Sequence, residues 1–484
     1  MGLARNVAKN TIAMGSVQLA SQISTFILSV FLQFYLGNSY GIYSYAFSLA
    51  SLIFIIADFG LNFQTVIDVA PKREIAPQYL TNTIFLRIIL GTIGMAVTFI
   101  VIAVSNLGYE TNLAILIIAL STAFNWISQS FTAMLSAFEQ MHYIMYTTLV
   151  ERCFTTSVAI IALFLGYRLE IVILIVLFGS ILNVFLSWAV TSKYIVKANK
   201  RPNIKQSMRQ LKTALPYAAA GVLNTSMYSL NAVIIWNVIL WTGGGSIYAA
   251  HDTALYNLSF NVIVALITIP TVLMTALMPA ISRLYRTSSD LTRLTQQKVM
   301  KYMFALGIPL SVGGVILAKD IISLIYSPEF IDSYQVFEVL APVIAISYFG
   351  TGLGGVLASA GLVHYNTLSA AIGAGINALL CCALVPFFGA IGAAAAFTIS
   401  YVAIVVSGER FMAKKIFSVD IKDIIIKPII SALVMGIVLL MLPHMSLIVS
   451  LLVGAISYFG VFLILGGLNK EDREILKKVM KKGV

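Results

Sequence analysis

The cations of this chain fall almost wholly on one side of a fourteen-fold hydrophobic pattern. Apolar runs lie at roughly 10–36, 40–67, 81–104, 112–138, 144–166, 169–192, 213–241, 252–282, 299–318, 336–360, 363–387, 389–411, 428–443 and 446–468. Runs of about 20 such residues cross a bilayer as helices. With both chain ends on one side, 27 of the 31 Lys and Arg residues collect there. They are Arg5 and Lys9, Lys72 and Arg73, the group from Lys193 to Lys212, the group from Arg283 to Lys301, the group from Arg410 to Lys427, and the tail from Lys470 to Lys482. The opposite connections carry Arg168 and Lys319, and Arg87 and Arg152 fall within spans. Short loops rich in Lys and Arg stay in the cytoplasm. The expectation is a multi-pass protein of the cell (plasma or inner) membrane with both termini cytoplasmic. One missed span would scramble the alternation, so the charge split also supports the count.

Composition agrees. Charged residues make up 10% of the 484 and hydrophobic ones 59%, with mean hydropathy +0.94. A soluble domain carries roughly 25% charged residues. The pI near 9.4 does not point to nucleic acid, because the cations sit between spans rather than on one basic face. The first apolar run is too long and too polar for a cleavable signal. Cys381 and Cys382 are helix neighbours that point apart, and Cys153 is distant, so neither a disulfide nor a metal site is expected. His142, His251, His364 and His444 lie at span ends or in turns and read as interfacial residues. No cluster has metal-ligand spacing, no phosphate-loop motif is present, and no cofactor or enzymatic activity is expected. Asn224-Thr225-Ser226 and Asn257-Leu258-Ser259 match the glycosylation triplet by chance, inside or near the membrane. Residues 469–482 read as an amphipathic surface helix on anionic lipid.

The basic connection divides the chain. The expected units are a six-helix lobe at 1–195, a cytoplasmic linker at 196–212, a second six-helix lobe at 213–412, two further transmembrane helices at 413–468 and a tail at 469–484. Both halves open on a span rich in Ser, Asn and Gln that ends in a glycine turn, Asn10 to Gly37 and Asn224 to Gly245. An even number of spans per half predicts parallel repeats, related by an axis along the membrane normal. The fold class is thus all-α, about fourteen transmembrane helices in two lobes plus two.

Charges inside a span cost roughly 2.5–3.5 kcal/mol on insertion scales. Four stand there: Asp58 in span 2, Arg87 in the first two turns of span 3, and Glu151 with Arg152 in span 5. Three readings are open. Asp58 pairs with Arg87 or Arg152 and pins the first half; the arginines snorkel to the interface; or some of the four face an aqueous cavity and meet substrate or a coupling ion. Span 1 adds a polar stripe in which Gln18, Gln22 and Thr25 share a face, and span 7 adds Asn224, Tyr228 and Asn231. Singly, each reads as helix-to-helix glue. A stripe in the first span of both halves reads as a wet wall. Amides and hydroxyls beside aromatic rings suit neutral sugars.

Five stretches stand in order along the chain: Tyr35 to Tyr43 followed by Asp58-Phe59-Gly60-Leu61, Leu277 to Arg283, Tyr326 to Phe330, Asn377 to Pro386, and Gly389 to Ala395 with Ser400-Tyr401. Together they resemble the polysaccharide flippases of the multidrug/oligosaccharidyl-lipid/polysaccharide flippase superfamily. The resemblance implies two six-span lobes around a V-shaped cavity. It implies movement of a polyprenyl-linked oligosaccharide from the cytoplasmic to the outer leaflet by alternating access, with H+ or Na+ antiport and a glycan polymerase or glycosyltransferases as partners. Relatives often line the cavity with cations; here the candidates are Arg87 and Arg152, which argues against a strongly acidic glycan. The drug-extruding branch places ion-coupling carboxylates in its spans. Spans 1 and 7 hold no acid, but Asp58 and Glu151 could serve, so a cation-coupled multidrug exporter is the alternative.

Overall fold

The computed structural model describes residues 2–105, 107–199, 201–287, 289–416, 421–442 and 446–467. These residues are helical apart from their connections, and no strand occurs among them. The first half holds α1 (Gly2–Leu36), α2 (Ser39–Asp58), α3 (Leu61–Val69), α4 (Ala76–Ser105), α5 (Tyr109–Ala137), α6 (Met141–Phe164) and α7 (Leu169–Tyr194). The second holds α8 (Ile204–Trp241), α9 (Gly245–Thr287), α10 (Ser289–Ile316), α11 (Ala318–Ile325), α12 (Ser333–Leu340), α13 (Pro342–Ser359) and α14 (Val363–Lys415), followed by α15 (Ile421–Met441) and α16 (Leu447–Ile464). The expected tail helix, His444, Lys200 and the side chains of Arg5, Lys9, Arg283, Arg286 and Lys422 lie outside the described residues.

Twelve helices among the described residues are long and apolar enough to cross a membrane. Helix α14 has 53 residues but is interrupted at Gly389, with φ 51° and ψ −129°. At 1.5 Å per residue each of its arms is long enough to cross by itself. The Asp252 carboxylate of α9 accepts the Ala390 N–H at 3.2 Å, capping the second arm where its free amides begin. With α2 as a further apolar helix, the described residues accommodate fourteen spans.

Two details differ from the sequence expectation. Span 2, read as continuous over 40–67, breaks at Phe59 (φ 44°) and Gly60 (φ 74°), both left-handed. A Cβ on Gly60 would stand 2.5 Å from the Ala214 carbonyl oxygen of α8. The break lets α8 approach, and only glycine fits the approach. The linker also ends early. Asn203 caps α8 by accepting the Gln206 N–H at 3.1 Å, and Ser207, Gln210 and Ala214 bury one face while Lys205, Arg209 and Lys212 stay exposed. The charge pattern could not register these turns of helix, because their polar face is the linker's own basic face.

Within the first half α1 packs on α6, α5 on α7 and α2 on α5; within the second, α14 packs on α8 and α13, and α10 on α13. The halves meet through α1 on α9, α2 on α8, and α2 on α9. Because α1 and α2 correspond to α8 and α9, the first two contacts are images of each other, as a pseudo-two-fold axis requires. The seam is densely bonded at the end remote from the basic loops. Ser327 donates its N–H and its hydroxyl to Gln33 Oε1 at 3.1 and 2.8 Å. His251 Nδ1 meets Asn38 Oδ1 at 3.1 Å, Asn261 donates to the Tyr40 hydroxyl at 3.0 Å, and Tyr45 stacks on Trp236 at 4.4 Å.

Candidate functional site

The two intramembrane ion pairs are built locally. Asp58 ends α2 at the break, and Arg87 stands on α4, about 16 Å above that helix's basic end at 1.5 Å per residue. Arg87 Nη2 meets Asp58 Oδ1 at 3.2 Å and donates to Asn62 Oδ1 at 2.8 Å. Its Nη1 donates to the Trp126 carbonyl, and the guanidinium lies over the Trp126 ring at 5.9 Å. The Arg87 side chain is 0% exposed and that of Asp58 is 19% exposed. Arg87 therefore does not snorkel. It is held in place by a broken helix, whose first residues on the far side of the break supply Asn62. The Asp58 carboxylate faces Gly221 of α8, where an added Cβ would lie 3.9 Å from Oδ2. The pair thus sits at the seam between the halves.

Glu151 and Arg152 pair with each other instead, Nε to Oε2 at 3.2 Å. Glu151 is buried, and the Thr155 hydroxyl lies 3.5 Å from its Oε1. The Arg152 side chain is 40% exposed. Among the described residues no ion pair joins Arg152 to Asp58.

The polar stripe of α1 changes along its length. Gln18 and Thr25 are exposed and Gln22 is half-buried, whereas Ser29 and Gln33, further along the same face, are buried. The exposed apolar residues Leu19, Ile23 and Ile27 lie on roughly the opposite side at 3.6 residues per turn. That side suits lipid, and the stripe suits water, since hydrocarbon satisfies no amide. Helix α8 repeats the gradient. Asn224 is exposed and Tyr228 half-buried, with Tyr228 edge-on to Phe260 at 5.7 Å. Asn231 is fully buried; it donates to the Tyr256 hydroxyl at 2.7 Å and accepts from Asn377 Nδ2 at 2.8 Å. Along both stripes the residues nearer the basic end are exposed or half-buried, and Ser29, Gln33 and Asn231 beyond them are buried. Asn231 belongs to the buried part, where it ties α8 to α9 and α14.

Asn62 and Trp126 were not anticipated as partners of Arg87, whereas Ser29 and Gln33 belong to the polar stripe expected of span 1 and form its buried end. Asn62, four residues after Asp58, carries a weak spacing signal. Trp126 offers its carbonyl, which no residue type announces.

Two pseudo-symmetric halves and two further helices, with polar stripes and ion pairs among apolar helices, define a polytopic helical membrane protein. A model of the family described as polysaccharide biosynthesis protein matches residues 7–285. That is more than half of the chain, and the chain belongs to this family. No curated protein matches it. Among solved structures it is similar to the lipid II flippase MurJ in an inward closed conformation. The TM-score is 0.76 at 17% identity, covering 94% of this chain and 98% of that one. It is also similar to an inward-facing multidrug resistance MATE family transporter of the MOP superfamily, with TM-score 0.63, 13% identity, and 84% and 98% of the two chains covered. A Vibrio cholerae MATE transporter gives TM-score 0.58 at 13% identity, covering 86% and 98%. At these identities the likeness is one of fold.

Proposed function

We propose that the chain is a flippase that moves a polyprenyl-linked oligosaccharide from the cytoplasmic to the outer leaflet for cell-surface glycan assembly. The observation that carries this reading is the paired polar stripe, exposed or half-buried toward its basic end and buried beyond mid-depth. In this reading residues 1–195 and 213–412 are the two lobes, and the basic side is cytoplasmic. The lipid diphosphate approaches the basic mouth, where opposite charge and shallow burial favour it. The glycan enters between the stripes, and its hydroxyls exchange water for the amides of Gln18, Gln22 and Asn224 and the face of Tyr228. The polyprenyl tail stays in hydrocarbon. Export then requires the bonds of Gln33, Asn38, Tyr40 and Tyr45 across the outer seam to open while the cytoplasmic ends close. Asp58 and Arg87, at the seam beside α8, are placed to register that movement, and Asp58 or Glu151 would take a coupling H+ or Na+.

Family membership supports the glycan substrate. The second reading, a cation-coupled multidrug exporter, is favoured by one observation: Glu151 is a buried acid at mid-membrane whose arginine partner is its own neighbour and partly exposed. Deleting the chain and restoring it as wild type or Asp58→Asn tests both. The expected result is loss of surface glycan on deletion, full rescue by wild type and impaired rescue by Asp58→Asn at equal protein level. Unchanged glycan with lost dye efflux overturns the flippase reading.

A further inference from the structure

A cavity of about 210 Å³ lies inside the second half, away from the ion pairs. Helix α13 contributes Ser347, Gly350, Thr351 and Gly354, and the two arms of α14 contribute Asn366, Ser369, Tyr401 and Gly408. None of the lining residues is charged. The volume is below the roughly 300 Å³ at which drug-sized pockets begin. It suits a single small polar ring.

Ser369 gives the cavity chemical direction. Serine in an apolar helix usually turns its hydroxyl back onto its own chain. Ser347, Ser359, Ser400 and Ser407, on the same two helices, do so at 2.7 to 3.0 Å. Ser369 does not: it is 3% exposed, and its Oγ has no hydrogen-bond partner. A buried unpaired hydroxyl is unfavourable, so such a group calls for an occupant. Asn366 is fixed beside it, donating Nδ2 to the Gly354 carbonyl at 3.0 Å. Tyr401 supplies an aromatic wall; its ring lies 5.5 Å from that of Phe397, which lies 6.4 Å from that of Tyr228 on α8. Aromatic packing thus joins the cavity to the polar stripe of the second half.

We propose that this cavity is a subsite for one neutral, hydroxyl-bearing sugar unit of the transported glycan, with Ser369 and Asn366 reading hydroxyls and Tyr401 lying against the ring. The absence of a charged wall excludes a uronic acid or a phosphate as the preferred unit. The proposal rests on the flippase reading, and the test separates the two. Purified protein in nanodiscs is probed by saturation-transfer NMR with glucose, galactose and N-acetylglucosamine, and with glucuronic acid as the charged control. The wild type should give transfer to at least one neutral sugar and at least threefold less to glucuronic acid. Ser369→Ala should lower the neutral-sugar signal at least threefold while leaving thermal stability equal or higher, since removing an unpaired hydroxyl relieves the fold. Gly354→Leu, which fills the cavity, should abolish the signal; Thr367→Ala, outside the cavity on the same helix, should leave it intact. Equal signals from wild type and Ser369→Ala, or no transfer to any neutral sugar, mean a cavity filled by water only and overturn the proposal. Glycan export in cells is read in parallel. Export that depends on the chain but not on Ser369 defeats the subsite and leaves the flippase standing; export that does not depend on the chain defeats the flippase reading itself.

Discussion

Removing Asp58 should expose how much the buried pair at the seam contributes. At 3.2 Å and an effective dielectric of 20, the gross attraction is about 5 kcal/mol. Desolvation of both ions offsets much of it, so the pair's net worth is small while an orphaned partner is costly, roughly 3–5 kcal/mol. The structure sets how each variant compares with that range. Asp58→Ala strands a guanidinium that is 0% exposed but leaves it two neutral acceptors, Asn62 Oδ1 and the Trp126 carbonyl. The lower end, about 3 kcal/mol, is expected. Arg87→Met strands a carboxylate that is 19% exposed and can reach water, so about 1–2 kcal/mol is expected. The double variant strands neither and should be more stable than the sum of the singles by about 2 kcal/mol, well beyond the ~0.5 kcal/mol scatter of independent sites. Unfolding of the four proteins in mixed micelles measures this coupling. Additive effects would falsify the claim that the pair locks the broken span to α4.

Three further outcomes follow from other contacts. Gly60→Ala should lower stability by at least ~1–2 kcal/mol from the left-handed backbone alone, more from the clash with Ala214; a normal yield of folded protein argues against the close approach of α8. Asp252→Ala should cost about 1 kcal/mol by uncapping the second arm of α14, seen as a lower unfolding midpoint, and Asp252→Asn should recover most of it. In a cysteine-free background, Gln18→Cys should react with a membrane-impermeant maleimide added from the cytoplasmic side and Gln33→Cys should not. Equal labelling of both removes the closed outer seam.

The spans and their approximate number were legible in the residues because each is a local property. A run of about 20 apolar side chains is a helix in a bilayer wherever it stands, and loop charges sort by side. The polar stripes were legible for the same reason, since helical spacing is local. The break in span 2 was half-legible: Gly60 hinted at a turn, but Asp58-Phe59-Gly60 becomes a break because the Ala214 carbonyl of α8 stands 2.5 Å from where a Cβ would be. The fate of the four intramembrane charges was legible only as a choice among open readings. Arg87 chose Asp58 over the interface because the broken helix brought Asn62 and the Trp126 carbonyl to the same guanidinium.

The sequence by itself therefore determined an all-helical membrane protein, its fourteen crossings and the identity of its intramembrane polar groups. Tertiary structure alone decided which of those groups are spent on structure and which remain available. Asn224 and Asn231 are the same distance class from solvent in sequence terms, two amides on one face of α8. Only the packing of α9 and α14 around the far end buries Asn231 and leaves Asn224 exposed. Burial depends on what the other half of the chain brings to a face, and no local pattern encodes that.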